Sequence, residues 1–410
     1  MGRELLTGNL AVAWAARLAE VDYVPAFPIT PQTEIVEALA QWVARGELQA
    51  RFVMLDSEHA MLTAAGAAAA AGARTFTASS SQGLLYAFEM LYAVAGWRVP
   101  LVLANVSRGL AAPITLEPDH NDVLAARDAG FLQLHAETCQ EVLDNVLIAY
   151  RLAEHPDVLL PALVNLDGFW LSFAREPVEL PAPEAVREFL PPFEPPHGRL
   201  SASHALAQGV AVLGGSAYAF FKYQMQRAAE AALDVHDAIS AEFADRFGRR
   251  WHAVEGWGLD DAEYVIVMSN SFSTIGRAEV ARLRDRGLRI GLLRLRLLRP
   301  FPHVAIARAL AGRRAVAVID QNLSVGKGGI LFAEVASALC GMHSPPALLS
   351  FVGGLGGRRF RSEEFDQIAA ALARATQDGG SAEPHLLFTA AEHRHMLEWL
   401  RLAGNQPPDK

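Results

Sequence analysis

Short apolar, β-rich runs alternate with helical patterns along most of the chain, and this alternation restricts the fold more than any other feature. Tyr23 to Phe27, Phe52 to Leu55, Thr75 to Ser79, Pro100 to Asn105 and Val158 to Asn165 read as strands. Between them, Leu10 to Leu18, Gln32 to Val43, Glu58 to Ala73, Gln82 to Ala95 and Glu137 to Ala153 carry helical periodicity. Strands separated by helices pair in parallel and are covered on both faces, with ligands expected at their carboxyl ends. A second series begins at Tyr264 to Met268 and continues through Ile290 to Leu298, Ala315 to Ile319 and Ala347 to Val352. The expected class is α/β, a parallel sheet flanked by helices plus a smaller α/β domain.

With 410 residues the chain is long enough to divide, since single cores stop growing beyond roughly 250 residues. We expect a first domain over 1–175, a Pro-rich arm and connecting region over 176–260, a second domain over 261–376, and a C-terminal tail over 377–410. The arm carries Pro177, Pro181, Pro183, Pro191, Pro192, Pro195 and Pro196, and reads as extended chain, neither strand nor helix. From Arg199 to Trp257 the character is mixed, and after Thr376 a polar Gly/Ser stretch precedes a helical segment.

A net charge of -9 argues against an electrostatic grip on nucleic acid or anionic lipid. The start, Met1 to Glu4, lacks a long apolar run, and no later run reaches membrane-spanning length, so a cytoplasmic setting is expected. The two cysteines, Cys139 and Cys340, lie far apart in helical patterns and read as small buried apolar residues. They supply no disulfide framework and no iron–sulfur or zinc spacing, so redox chemistry would need an organic cofactor or a centre on another chain.

Three loops follow strands of the first series. In Phe27-Pro28-Ile29-Thr30-Pro31 the prolines stiffen the backbone and can fix the Thr30 hydroxyl for a carboxylate or carbonyl oxygen. The same residues equally suit a helix start. In Asp56-Ser57-Glu58-His59 the acid is either an ordinary first-turn carboxylate or a partner for a ring nitrogen of a bound heterocycle. In Asn105 to Pro113, Arg108 either clamps a substrate carboxylate with two parallel hydrogen bonds or forms a structural ion pair. Asp119-His120-Asn121-Asp122 reads as a capping, solvated loop, and no metal site is expected. Gly326 to Gly329 and Gly353 to Gly357 lack the spacing and placement of phosphate loops, and read as turns.

Taken together and in order, Phe27 to Pro31, Ser57-Glu58-His59, Thr75 to Leu84, Arg108 to Pro113, Asp119-His120 and Leu160 to Phe169 closely resemble the alpha subunit of the pyruvate:ferredoxin, or 2-oxoacid:acceptor, oxidoreductase family. Leu295 to Pro302, Asp320 and Gly353 to Gly357 are similar to that family's transketolase-C-terminal-like domain. The likeness spans nearly the whole chain and is weakest over 201–256. It implies a thiamine-diphosphate pyrimidine-binding domain in which Glu58 hydrogen-bonds the pyrimidine ring and sets its protonation state. Thr30 and Arg108 match the residues that hold the substrate carboxylate, while Pro28, Ile29, Ser81 and Gln82 fall at cofactor-binding positions.

The resemblance also implies a beta subunit holding the diphosphate and Mg²⁺, a gamma subunit, and a ferredoxin-like delta subunit with [4Fe-4S] clusters. An FAD/NAD-binding subunit is the variant in which NAD replaces ferredoxin as acceptor. The implied reaction is a 2-oxoacid plus CoA giving acyl-CoA and CO2. Phe27 stands where many pyruvate members carry tyrosine, and Thr115-Leu116-Glu117-Pro118 departs from a more aromatic stretch. Both departures point away from pyruvate, since a more apolar pocket suits a larger side chain, including an aryl one such as phenylglyoxylate; neutral drift of a wall residue, which leaves pyruvate as substrate, is the alternative. Other readings are a 2-oxoglutarate or branched-chain enzyme, a non-catalytic paralogue, and a stand-alone nucleotide-dependent dehydrogenase.

Overall fold

A computed structural model describes residues 2–196, 200–203 and 205–404. Met1, the boundary read at Arg199 and the end of the tail beyond residue 404 lie outside the described residues. Among the described residues the strands are, in chain order, β1 (Gly2–Thr7), β2 (Tyr23–Ala26), β3 (Arg51–Met54), β4 (Phe76–Ser79), β5 (Val102–Ser107), β6 (Leu132–His135), β7 (Ala162–Asp167) and β8 (Arg175–Leu180). They continue with β9 (Val254–Trp257), β10 (Tyr264–Ser269), β11 (Ile290–Leu295), β12 (Leu297–Arg299), β13 (Ala315–Asp320), β14 (Ala347–Val352) and β15 (Ser381–Leu386).

The first sheet runs β12-β6-β7-β5-β4, and the parallel pair β2-β3 continues it through a Tyr23–Thr75 bridge. The second sheet runs β15-β14-β13-β10-β11-β9. Neighbours are parallel except β12 on β6 and β9 on β11. This is the α/β class expected from the alternation. The helix Cys139–Ala153 shows why these strands need cover on both faces: Val142, Leu143, Val146, Leu147 and Ala149 are wholly buried against the strands and the helix Gly8–Leu18. Gly66, in the Ala-rich helix Glu58–Ala70, lets Val94 and Trp97 approach so closely that a methyl group would collide with both.

Several segments differ from the sequence reading. Within the Pro-rich arm, Arg175–Leu180 is a strand paired antiparallel with β1, and Pro183–Phe189 is a helix. Pro177 is tolerated because the ribbon has only two strands, and Pro183 occupies a first-turn position where no backbone donor is needed. The run 290–298 is divided between the two sheets. Arg296 interrupts it: its N–H and that of Leu297 both bond the Ala253 carbonyl, and its buried guanidinium pairs with Glu141 and Glu255. Gln82 to Ala95 is broken at Ala87 into the helices Ser81–Tyr86 and Phe88–Gly96. In the tail, Ser381–Leu386 pairs with β14 before the helix Ala390–Leu402. Cys139 is buried as expected, whereas Cys340 is exposed at the end of the helix Ile330–Leu339.

The two sheets share one buried ion network. Arg294, at most 1% exposed, pairs with Glu137 at 2.9 Å and Glu141 at 2.6 Å, and Arg296 completes it toward Glu141 and Glu255. Burial pushes the Glu141 carboxyl up, but the two guanidinium groups win and hold it at about 2. Two arginines from the second series thus meet the start of a first-series helix, which fixes how the sheets face each other.

Candidate active site

The loops at the carboxyl ends of β3, β4 and β5 and the turn after β2 converge on one another. Ser57 caps the helix Glu58–Ala70, its hydroxyl accepting from the Ala60 N–H at 3.2 Å. That cap leaves Glu58 at the first helical position, 6% exposed, where the helix dipole favours its charge. Among the described residues no hydrogen bond or ion pair reaches its carboxylate. The side chain lies over Gly83, where any Cβ would collide with Glu58 Oε1 and crowd Ser79 Oγ. The hydroxyls of Ser79 and Ser80 are buried nearby without a partner among the described residues.

Arg108 follows β5 and is 7% exposed. One of its Nη groups donates to the Thr30 carbonyl oxygen at 2.6 Å and the other to Gln82 Oε1 at 2.7 Å. Its Nε and Gln82 Nε2 are buried without partners among the described residues. Burial lowers the Arg108 pKa and nearby Asp122 opposes that fall, so the guanidinium stays cationic near neutrality. Thr30 is held through its backbone; the side chain is exposed and its hydroxyl makes no bond among the described residues. Pro28 is exposed and Ile29 half-buried on the same turn. Ser81 is wholly buried, with its N–H on Asp122 at 3.0 Å and its hydroxyl facing Gln82 Oε1 at 2.6 Å and the Gly109 carbonyl at 3.0 Å. Its polar atoms are therefore committed inside the protein. A continuous path of contacts runs from Thr30 through Arg108 and Gln82 to Gly83 and Glu58.

The stretch Asp119 to Asp122, read as solvated, is largely buried: Asp119 is 7%, His120 1% and Asp122 0% exposed. His120 and Asp167 form a 2.8 Å pair, and Asp167 also accepts from the N–H of Ser271 at 3.0 Å and from its hydroxyl. Burial pulls the His120 pKa down, yet Asp167 raises it overall; the carboxylate is lowered in turn by the imidazole. The His120 N–H bonds the Gln321 carbonyl at 2.8 Å, and the Gly357 N–H bonds the Pro118 carbonyl at 2.7 Å. Gly326 to Gly329 is a turn closed by the Gly328 N–H on the Ser324 carbonyl, and Gly353 to Gly357 ends in a 3-10 turn that, with Gln321, braces the loop beyond Arg108. The sequence did carry a signal for this layer. Asn105 and Ser107 in β5, and Asn165 and Asp167 in β7, recur at a spacing of two in otherwise apolar strands, and they pair in register.

The chain matches a family model described as pyruvate flavodoxin/ferredoxin oxidoreductase, thiamine diphosphate binding, over residues 14–242. A second, pyruvate:ferredoxin oxidoreductase core domain II, matches residues 262–365. Pyruvate synthase subunit PorA of Pyrococcus abyssi is 38% identical over 382 residues, covering 93% of this chain and 96% of the relative. Its Thermotoga maritima counterpart is 42% identical over 88% of this chain and 92% of its own length. Ketoisovalerate oxidoreductase subunit VorA of Pyrococcus abyssi is 37% identical over 92% and 95%.

Among solved structures, a 2-oxoglutarate:ferredoxin oxidoreductase from Magnetococcus marinus superposes with a TM-score of 0.70 at 20% identity. The match covers 90% of this chain and 65% of that longer one. A split-gene transketolase superposes with a TM-score of 0.52 at 12% identity, over 91% and 98%. These two carry the fold, a thiamine-diphosphate-binding domain followed by a transketolase-C-terminal-like domain. The chain belongs to the pyruvate and 2-oxoacid:ferredoxin oxidoreductase family, as an alpha subunit that acts within a multi-subunit enzyme.

Proposed function

We propose that this chain supplies the pyrimidine side of a thiamine-diphosphate site and the carboxylate clamp of a CoA-acylating 2-oxoacid oxidoreductase whose substrate is pyruvate. The observation that carries the reading is Glu58: a side chain only 6% exposed, its carboxylate without a partner among the described residues, over a bare glycine and near two serine hydroxyls that likewise find none there. Such a group needs an external hydrogen-bond partner, and an aminopyrimidine ring nitrogen fits that need. When bound, thiamine diphosphate supplies a carbanion nucleophile and an electron sink for decarboxylation.

Glu58 holds a proton at the pyrimidine ring nitrogen, which sets the protonation state of the ring. Ser81 keeps the Gln82 amide and the Gly109 backbone in register at the wall, rather than offering a free polar group. Pro28 and Ile29 form the rest of that wall, next to Thr30. Arg108 and the Thr30 hydroxyl hold the substrate carboxylate, and Gln82 Nε2 adds a donor. Their contribution is placement, because binding the ground-state charge more tightly does not itself speed CO2 loss.

The names of the PorA relatives favour pyruvate, while a VorA relative of nearly equal similarity keeps ketoisovalerate as the second reading. Half-buried Phe27 gives the pocket no hydroxyl at that point, which leaves bulkier apolar acids, phenylglyoxylate included, to be ranked with them. A beta chain holding the diphosphate and Mg²⁺, further gamma and delta subunits with iron–sulfur clusters, and ferredoxin as acceptor complete the proposal. An FAD/NAD-binding subunit is its variant, and a cytoplasmic site of action goes with it. Turnover of the assembled complex with pyruvate, ketoisovalerate, 2-oxoglutarate and phenylglyoxylate tests the substrate. A kcat/KM for pyruvate at least tenfold above the others is expected, and a preference for any other acid overturns that part.

A further inference from the structure

We propose that Asp122 is a positioning residue that sets the gap between the Gln82 and Arg108 side chains and thereby governs 2-oxoacid affinity, an inference that rests on the functional reading above. Asp122 is wholly buried. Its Oδ2 accepts from the Ser81 N–H at 3.0 Å, the Arg108 N–H at 3.3 Å and Asn105 Nδ2 at 3.1 Å. Its Oδ1 accepts from the Val123 N–H at 2.7 Å and faces the Ser107 hydroxyl at 3.1 Å. One oxygen atom therefore anchors the backbone of the residue just before Gln82 and of Arg108 itself. Those are the two loops whose side chains meet at 2.7 Å.

Ser81 strengthens the case. It is held at φ +49, in the left-handed region that non-glycine residues seldom occupy. The bond from its N–H to Asp122 holds that conformation, and with it the direction in which Gln82 leaves the chain. A carboxylate serving only its own helix would need the Val123 bond alone. Here the donors come from the turn after β4, from β5 and from the loop beyond it. Below, Asn165 Oδ1 accepts from Asn105 Nδ2 at 2.8 Å and lies 2.7 Å from the Ser107 hydroxyl. That second layer orients two of the donors without touching Ser81 or Arg108.

The test is Asp122→Asn in the assembled complex. It keeps the shape but replaces one acceptor oxygen by an amide donor, where the N–H groups of Ser81, Arg108 and Val123 and Asn105 Nδ2 all donate. The expected result is a rise of at least tenfold in the KM for pyruvate, with the KM for CoA and the affinity for thiamine diphosphate within about threefold of wild type. In addition, pyruvate added with thiamine diphosphate withheld should raise the unfolding temperature of the wild-type complex and not that of Asp122→Asn. Asn165→Ala, which removes buried bonds one layer deeper, should lower the unfolding temperature but keep the pyruvate KM within twofold. An Asp122→Asn enzyme with unchanged pyruvate KM, or with all constants altered together, overturns the proposal. If that variant does not assemble, Ser107→Ala decides: a KM raised about threefold supports the role, and an unchanged KM overturns it. Arg108→Ala run alongside separates the two levels, since an unchanged KM there would sink the functional reading itself.

Discussion

Arg108 meets Thr30 through the threonine carbonyl oxygen, at 2.6 Å, and not through its hydroxyl. One arm of the guanidinium thus fixes the Phe27–Pro31 turn, the other arm is tied to Gln82, and the Thr30 hydroxyl makes no bond among the described residues. This arrangement joins three loops distant in sequence into one rigid rim, and it separates what Arg108 does for the fold from what it offers a substrate.

Arg108→Ala is therefore expected to raise the KM for the 2-oxoacid at least tenfold, about 1.4 kcal/mol of binding, while the KM for CoA changes little. Arg108→Lys should recover only part of that loss, because a single ammonium cannot bond Thr30 and Gln82 in the fork geometry of a guanidinium. Initial rates against each substrate in turn check both statements.

Gly83→Ala puts a methyl group into the Glu58 carboxylate. The variant should lose at least tenfold in thiamine diphosphate affinity, read by calorimetric titration of the cofactor-free complex. Its unfolding temperature should fall by only a few degrees, because the collision is with the end of a side chain and not with backbone.

Glu141→Gln leaves the Arg294 and Arg296 guanidinium groups buried beside a neutral amide. Removing one partner of such a network costs roughly 3–5 kcal/mol, so a large drop in the denaturation midpoint is expected, and the joint between the two sheets should open first. Hydrogen exchange over β11 and the start of the helix Cys139–Ala153 reads the location.

Acid should destabilise the protein through two buried imidazoles. Burial, and then the charge of His120, depresses His135 to about 3; burial, and then Arg296, depresses His236 to about 4. Unfolded histidine titrates near 6.5, so between these values the unfolded chain binds more protons than the folded one. Against an opposite slope from Asp320, whose carboxyl is raised by burial to about 7, the contribution of these two groups is then full above about pH 6.5 and falls as pH drops toward 4. His236→Leu should flatten that slope, as judged from unfolding midpoints measured between pH 4.5 and 7.

Much of this architecture was legible in the residues. The strands β2 to β5, β7, β10, β11, β13 and β14 and the helices read between them follow from apolar runs and helical spacing, whereas β6, β9 and the helix Gly215–Phe247 were not read. The three loops after strands do meet through side-chain contacts. What periodicity could not show is decided at long range. Arg296 diverts the chain from one sheet to the other because its partners, Glu141 and Glu255, are brought to it by folding. Pro177 reads as a strand breaker until β1 is seen to leave it on a two-stranded ribbon. Asp122 and His120 looked solvated because polar residues cluster around them, whereas their partners Asn105, Ser107 and Asp167 lie on strands that read as plain core.

The central claim is that Glu58 acts on the aminopyrimidine of bound thiamine diphosphate. Its most direct test is the rate of 2-oxoacid decarboxylation by the complex carrying Glu58→Gln, at saturating cofactor. A loss of at least tenfold, about 1.4 kcal/mol in barrier height, is the result expected. A rate within twofold of wild type would contradict the account.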